Sequence, residues 1–368
     1  MRNDHGEGDG VPDRPVRVGL VTSLGRTLDA FFPAIVERLE ERGLSVTSAS
    51  GTESHLPGWT HLRGFSQKPS SSIPSAIRAV RAWSRALDHD VVITNTATAS
   101  ALVRAAGLRA PVIYFCHGLH WGRETDLGAL PWRVVETALL RRTAAVITIN
   151  RDDQSWFERH GAPKVHRLPY GVGVPLADYP RADVPDGSLD LVWVGDFTPR
   201  KRPDLAVAVI RRLVDEGCDV RLRMVGDGPL HATVVREIAA QGLDRLIRAD
   251  GRDSVAKALA SATALLHTAE WEGLPRVALE AAAVGRWAYG FDVKGLRDAP
   301  LVRLAPDRDV EALARLIRDD AASGAVRAVP DVRNALAVTA AAAGIGTAIL
   351  DTLGRPTPAH QDGGRPPG

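Results

Sequence analysis

TALLHTAEWEGLPRVALEAAAVGRWAYGFD, residues 263–292, reads as a strand, a loop, a helix and a second strand. TALLHTA (263–269) is a short continuous apolar run bounded by polar residues, as expected of a strand covered on both faces. LPRVALEAAAVG (274–285) is a helix that ends at Gly285, and RWAYGFD (286–292) returns to strand. A strand, a crossover helix and a second strand of these lengths imply parallel pairing.

The alternation extends in both directions. C-terminally it includes SLDLVWVGDF (188–197), PDLAVAVIRRLVDEG (203–217), DVRLRMVGDGP (219–229), HATVVREIAAQG (231–242), a short strand near 246–249, and DSVAKALASA (253–262). VEALARLIRDDAAS (310–323) is a further helix, and Ala335 to Leu353 closes as one more. The N-terminal half gives strands at VRVGLVTSL (16–24), LSVTSAS (44–50), DVVITNT (90–96), APVIYFCHG (110–118), AAVITIN (144–150) and KVHRLPYGVG (164–173). Helices are predicted at 28–43, 75–89, 97–107, 130–143 and 151–161, with a loop through about Pro74. Two such runs joined near Val174 to Pro185 predict two Rossmann-like α/β domains with parallel sheets facing across a cleft. The predicted division is a disordered tail over 1–15, an N-terminal domain over 16–178, a C-terminal domain with its closing helix over 179–353, and a second tail over 354–368.

Length and composition agree. The chain has 368 residues, enough for two domains of about 150. Apolar residues are 45% and charged residues 24%, which excludes a disordered or collagenous chain. The 46 basic and 44 acidic residues leave a formal charge of +2, so bulk charge gives no reason for nucleic-acid binding. No secretory leader and no run long enough to span a membrane is read in the chain, and the expected location is cytoplasmic. Cys116 and Cys218 are isolated and expected to be buried and reduced.

Chemistry concentrates at the loop–helix junction of the opening stretch. Pro275 suits a first helical turn, and the N–H groups of Gly273, Leu274 and Arg276 then surround the positive helix end, a ready anion site. Glu272 precedes the helix and Glu280 lies inside it, roughly two turns from Glu272, so the two carboxylates can grip vicinal hydroxyls. The plainer alternative is a helix cap at Glu272 and a solvated face charge at Glu280.

EGLPRV with a second Glu eight positions on resembles the signature of retaining, family-four glycosyltransferases of the GT-B fold. The resemblance spans about residues 16 to 350. It includes VWVGDFTPRKRPD (192–204), MVGDGP (224–229), and EGLPRVALEAAAVGRWAYGFDVKGLRD (272–298). CHGLHWG (116–122), ETALLRRTAAVITINRDDQ (136–154) and KVHRLPYGVGV (164–174) resemble the capsule and exopolysaccharide subgroup. The resemblance implies that Glu272 binds the donor sugar near the reacting carbon, with Gly273 and Leu274 on sugar or phosphate and Glu280 on the ribose. It implies that Lys201 neutralises the diphosphate and that His117 sits over the donor sugar at the acceptor side. Gly226, Gly228 and Arg252 fall among the donor-binding positions. Gly25 and Arg26 fall in the first strand-to-helix loop, which borders donor phosphate and acceptor.

The chain departs from the family pattern. Asp196 stands where relatives carry an Arg on the diphosphate, so Arg200 beside Lys201 is expected to supply the second cation. SLGRTL lacks the family's double glycine, and Gly285-Arg286-Trp287 replaces Gly-x-Pro. The resemblance implies transfer of a hexosyl or N-acetylhexosaminyl group from a nucleoside diphosphate donor, UDP-linked in this subgroup, to a lipid-linked glycan. No cofactor and no metal is expected, because no Asp-x-Asp motif precedes the donor site. Two other readings stay open at this level: tailoring of a small soluble natural product, and a sugar-nucleotide-binding protein without turnover. Arg78, Arg81, Trp83, Arg85, Trp132, Arg141 and Arg142 form a cationic, aromatic set suited to peripheral contact with the inner face of the membrane.

Overall fold

The computed structural model describes residues 14–66, 72–119, 121 and 127–356. In the N-terminal half seven strands form one parallel sheet: β1 (Val16–Val21), β2 (Leu44–Ser50), β3 (Thr60–His61), β4 (Val91–Thr94), β5 (Val112–Cys116), β6 (Ala145–Thr148) and β7 (Val165–Arg167). Their order is β3-β2-β1-β4-β5-β6-β7. Six strands form a second parallel sheet: β8 (Leu189–Val194), β9 (Val220–Val225), β10 (Ile247–Ala249), β11 (Ala264–His267), β12 (Ala288–Phe291) and β13 (Val302–Ala305), ordered β10-β9-β8-β11-β12-β13. The central strands β4, β5, β6, β11 and β12 are buried at every position, which is why their sequences read as unbroken apolar runs. Each sheet reverses its strand order once, at β1/β4 and at β8/β11, and a crevice opens at the carboxyl ends of those strands. The expected α/β architecture of two Rossmann-like domains is what forms.

Several boundaries differ from expectation. β3 and β13 were not predicted: one has two residues, and the other is an edge strand with Arg303 at its centre. The first helix begins at Gly25, not Leu28, so Gly25 and Arg26 form its first turn instead of a loop. It breaks at Phe32, because Pro33 has no N–H with which to continue the ladder, and a second helix runs Pro33–Glu40. Trp83 is a core residue packed on His89, with ring centroids 4.3 Å apart, and is not part of a surface set. Both cysteines are free, but Cys218 is only half-buried.

The closing helix also departs from its predicted place. Ala337 is extended and splits it into Arg333–Leu336 and Val338–Thr352. The longer piece leaves the C-terminal domain and packs on the N-terminal one. Ala342, Ile345, Ala348 and Ile349 join Val18, Leu20, Ile35 and Leu39 in one buried cluster. Gly344 permits the approach: a Cβ there would lie 2.3 Å from Leu168 Cδ2.

Arg286, fully buried, ties the linker to the C-terminal domain. It donates to the carbonyls of Ala182, Asp183, Ala260, Ala262 and Gly285 at 2.7–3.0 Å. The departure from Gly-x-Pro falls at the next residue, Trp287, whose indole N–H donates to the Ala328 carbonyl at 3.2 Å and whose ring centre lies 4.4 Å from the Arg303 guanidinium. Among the described residues, no helix is long and apolar enough to cross a membrane.

Candidate active site

The loop after β11 carries Glu272 into the interdomain crevice, and the helix Arg276–Val284 starts immediately behind it. Pro275 stands at the cap position, one residue before the predicted first turn. Among the described residues, nothing accepts from the N–H groups of Gly273, Leu274 or Arg276, so the helix end keeps donors available. The Glu272 side chain is 13% exposed. Its Oε1 receives Lys201 Nζ at 2.5 Å and Arg200 Nη1 at 3.0 Å. Burial pushes the carboxyl pKa up, but Lys201 and then Arg200 more than offset it, and the group sits below the ordinary carboxylate value. Two cations on one carboxylate leave a local surplus of positive charge, which suits an incoming diphosphate.

Local sequence explains these positions. Thr198-Pro-Arg-Lys folds as a short 3₁₀ turn after β8, and Arg202 takes a left-handed conformation at φ 48° before Pro203 starts the next helix. Arg202 is buried on Asp307 at 2.7 Å and anchors the turn, so only Arg200 and Lys201 reach Glu272. Arg200 also donates to the Trp271 carbonyl at 3.0 Å. Asp196 is exposed, and among the described residues no ion pair joins its carboxylate to Arg200 or Lys201. Gly226 and Gly228 pack the β9 loop onto the β8 loop: a Cβ would lie 2.0 Å from the Gly195 carbonyl oxygen and 2.7 Å from the Phe197 nitrogen, respectively. Arg252 follows Gly251, whose carbonyl accepts from the Gly226 N–H at 2.7 Å, and is exposed.

Glu280 is buried, so it is not a solvated face charge. It accepts from Arg276 Nε at 2.8 Å, and its charge adds to burial in raising the pKa of the Tyr179 hydroxyl. Arg276 extends to the N-terminal domain, with its guanidinium 5.0 Å from the centre of the Phe31 ring.

The N-terminal domain presents His117 at the end of β5. Asn95, at the end of β4, donates its amide to His117 Nε2 at 2.5 Å, which leaves the ring proton on Nδ1. Burial lowers the His117 pKa to about 4, so the ring is neutral near pH 7. The next residue, Gly118, meets Gly273 of the other domain. A Cβ at Gly273 would lie 1.8 Å from the His117 carbonyl oxygen, so only glycine allows the two loops to touch. Gly25 is buried against the Glu53 carbonyl and its N–H is held by Thr52 Oγ1 at 2.8 Å, while Arg26 is exposed. His120 and Gly122 of the CHGLHWG motif lie outside the described residues.

Sequence reasoning did not single out the bolt that holds this seam. Lys294 Nζ, buried, meets Asp153 Oδ1 at 2.7 Å and the carbonyls of Leu119 and Trp121 at 3.0 and 2.9 Å. Asn150 donates to the Gly273 carbonyl at 2.8 Å, and the Lys294 carbonyl accepts from the Glu272 N–H at 3.0 Å. The available signal was position: Asn95, Asn150 and Lys294 are polar residues within three positions of the ends of β4, β6 and β12. His267, buried at the end of β11, was also missed. Among the described residues both its ring nitrogens lack a hydrogen-bond partner. No group of three or more His, Cys, Asp or Glu side chains is placed to hold a metal among the described residues.

Residues 188–322 match the family Glycosyl transferases group 1, and residues 9–171 match the Glycosyl transferase 4-like domain. The chain belongs to the family-four glycosyltransferases. It is 28% identical over 255 residues to an exopolysaccharide phosphotransferase of Streptomyces coelicolor, covering 64% of this chain and 26% of that protein. The chain spans about a quarter to a third of the length of the curated relatives it matches. The fold of this glycosyltransferase resembles that of sucrose-phosphate synthase from Thermosynechococcus elongatus, with TM-score 0.74, 17% identity, and coverage of 92% of this chain and 99% of that one. It also resembles an Anabaena protein solved with UDP, with TM-score 0.72, 17% identity, and coverage of 92% and 100%. The fold of this chain is GT-B-like, with parallel sheets of seven and six strands among the described residues.

Proposed function

We propose that the protein is a retaining glycosyltransferase that moves a hexosyl or N-acetylhexosaminyl group from a nucleoside diphosphate, UDP in this reading, to an acceptor hydroxyl on a lipid-linked glycan of a cell-surface polysaccharide. The observation that carries this is Glu272 held between Lys201 and Arg200 at a helix N-terminus, with His117 on the facing domain. The similarity to an exopolysaccharide protein and the UDP bound to an Anabaena neighbour favour the polysaccharide context and the base.

In this reading the diphosphate takes over Lys201 and Arg200, and the free helix N–H groups share its charge as the leaving bond breaks. Glu272, released from its cations, holds the donor sugar. Glu280 and Tyr179 face the ribose. No side chain is positioned as a covalent nucleophile in this scheme. The acceptor hydroxyl attacks the anomeric carbon on the face that the phosphate leaves, and the leaving phosphate oxygen takes its proton. Neutral His117, fixed by Asn95, orients a sugar hydroxyl through Nδ1.

The test is thermal stability against UDP, GDP, ADP, dTDP and CMP, followed by turnover of Glu272→Gln. A nucleotide at 100 times its dissociation constant adds about 2.7 kcal/mol to the folded state. Selective stabilisation by UDP, with donor turnover reduced by at least about a hundredfold in Glu272→Gln, is the expected result. Full activity of that variant removes the assignment.

A further inference from the structure

The helix Leu130–Leu140 is turned inside out. It buries Glu136, whose carboxylate takes two hydrogen bonds from buried Arg104 at 2.9 and 3.0 Å. It exposes Trp132, Val134 and Val135, and Leu127 and Leu130 just before them are exposed too, Leu127 at 84%. Of the exposed large apolar side chains among the described residues, all but Leu87 and Val235 lie on this helix or beside it. A soluble domain gains nothing by presenting such a strip to water, so the strip is a contact surface.

The strip opens into an apolar pocket of about 220 Å³ between this helix and the helix Ala97–Ala106. Ala101, Leu102, Tyr114, Leu119, Trp132 and Leu139 form its wall. A dry cavity of about 150 Å³ already accepts a six-carbon guest, so a hydrocarbon segment fits here. Its lining includes Gly118, the residue after His117 and the neighbour of Gly273, which places the pocket beside the acceptor side of the cleft. Its surroundings are cationic. The helix Ile73–Ala86 carries exposed Arg78, Arg81 and Arg85 with no acidic residue. The inside-out helix is followed by exposed Arg141 and Arg142, and its one acid is the neutralised Glu136.

We infer that this pocket is the hydrocarbon subsite of the acceptor: it takes the chain of an anionic, lipid-linked substrate and so delivers the glycan head to His117. The inference rests on the transferase reading for what the head does, and on the pocket alone for the chain. The apolar wall recognises length, and the arginines recognise the charged head.

The experiment measures binding to the full chain by tryptophan fluorescence, which Trp121 and Trp132 at the pocket make sensitive. The probes are a C20 isoprenyl monophosphate, its C5 counterpart, inorganic phosphate, and vesicles containing phosphatidylglycerol. Ala101→Phe fills the pocket, and Val135→Asp spoils its mouth without entering the core. The expected result is saturable binding at least about tenfold tighter for C20 than for C5, weakened at least about tenfold in either folded variant. Stabilisation by UDP should be unchanged in both. Equal affinity for the two chain lengths overturns the inference. So does wild-type C20 binding in Ala101→Phe and Val135→Asp, and so does binding to vesicles alone, which would mark adsorption to a bilayer. If the isoprenyl phosphate follows the expected pattern while no nucleotide stabilises the protein, the chain site stands and the transferase reading falls. If UDP binds and the chain does not, the chain site alone falls.

Discussion

Arg286 and His267 are two residues whose environment reverses what their type suggests. Arg286 looks like a surface cation in the sequence, yet it is the buried tie between the linker and the C-terminal sheet. Burial lowers its pKa to about 10, still well above neutral pH, so it stays charged. Arg286→Ala strips hydrogen bonds from five carbonyls, and a loss of at least about 3 kcal/mol in unfolding free energy is expected from denaturant titration. Arg286→Lys should recover only part, because one ammonium cannot span the set. His267 is held near pKa 4, against 6.5 when unfolded, by burial first and by Lys201 and Arg200 next, with Glu272 opposing. Between pH 6.5 and 4 the unfolded chain binds a proton that the folded chain refuses. Stability therefore falls as pH drops through that window and is level above it, with a loss approaching about 3 kcal/mol at pH 4 from this histidine. His267→Gln should flatten the slope of unfolding free energy against pH in that range.

At the scale of elements, the decisive feature is the contact of two strand-end loops. The loop after β5 and the loop after β11 touch glycine to glycine, at Gly118 and Gly273. A methyl at Gly273 has backbone as its neighbour and cannot be absorbed by a rotating side chain. Gly273→Ala is expected to cost about 1–3 kcal/mol and to lower turnover while both sheets remain folded. Circular dichroism and a donor assay on one preparation check both halves of this prediction. The strand-end polar residues Asn95, Asn150 and Lys294 follow the same logic. Asn150 and Lys294 each follow a strand of one domain but act on a loop of the other, whereas Asn95 fixes His117 within its own sheet.

At the scale of the whole molecule, two of the contacts that join the domains are deeply buried. One is the closing helix Val338–Thr352, which returns to the N-terminal core. The other is the buried pair Lys294–Asp153, which crosses the seam beside Glu272. Lys294→Met takes the counter-cation from the buried Asp153 carboxylate, leaving it the Leu119 N–H and the Asn150 amide, and is expected to cost about 3 kcal/mol, with a larger radius of gyration in small-angle scattering as the seam opens. Combining it with Asp153→Asn should be milder than Lys294→Met alone, because the stranded charge is removed as well. If the double variant is the worse of the two, the pair does not act as a unit.

Local pattern was enough for the parallel strand–helix alternation and for the Glu272-to-Glu280 constellation. Buried parallel strands must be continuously apolar, and a helix that starts after a strand must expose its N–H groups at the crevice. Strand pairing order, and the partners of a charged side chain, are not properties of a window of residues. Arg200 and Lys201 were legible as a basic turn, but their convergence on one oxygen of Glu272 depends on how β8 and β11 lie side by side. The short strand β3, the edge strand β13 and the early start of the first helix were not legible. Two paired residues, an arginine within an edge strand and a glycine at a helix start carry too little local signal. The attachment of the closing helix to the opposite domain was hidden for a different reason. Its apolar face would suit either sheet, and only the route of the chain through Ala337 directs it to the first. Local periodicity and residue type were enough for most of the strands and helices and for the kinds of chemical group at the cleft. The tertiary structure decided which cation meets which carboxylate, which domain the last helix completes and which apolar face is left open, because those depend on contacts between residues far apart in the chain.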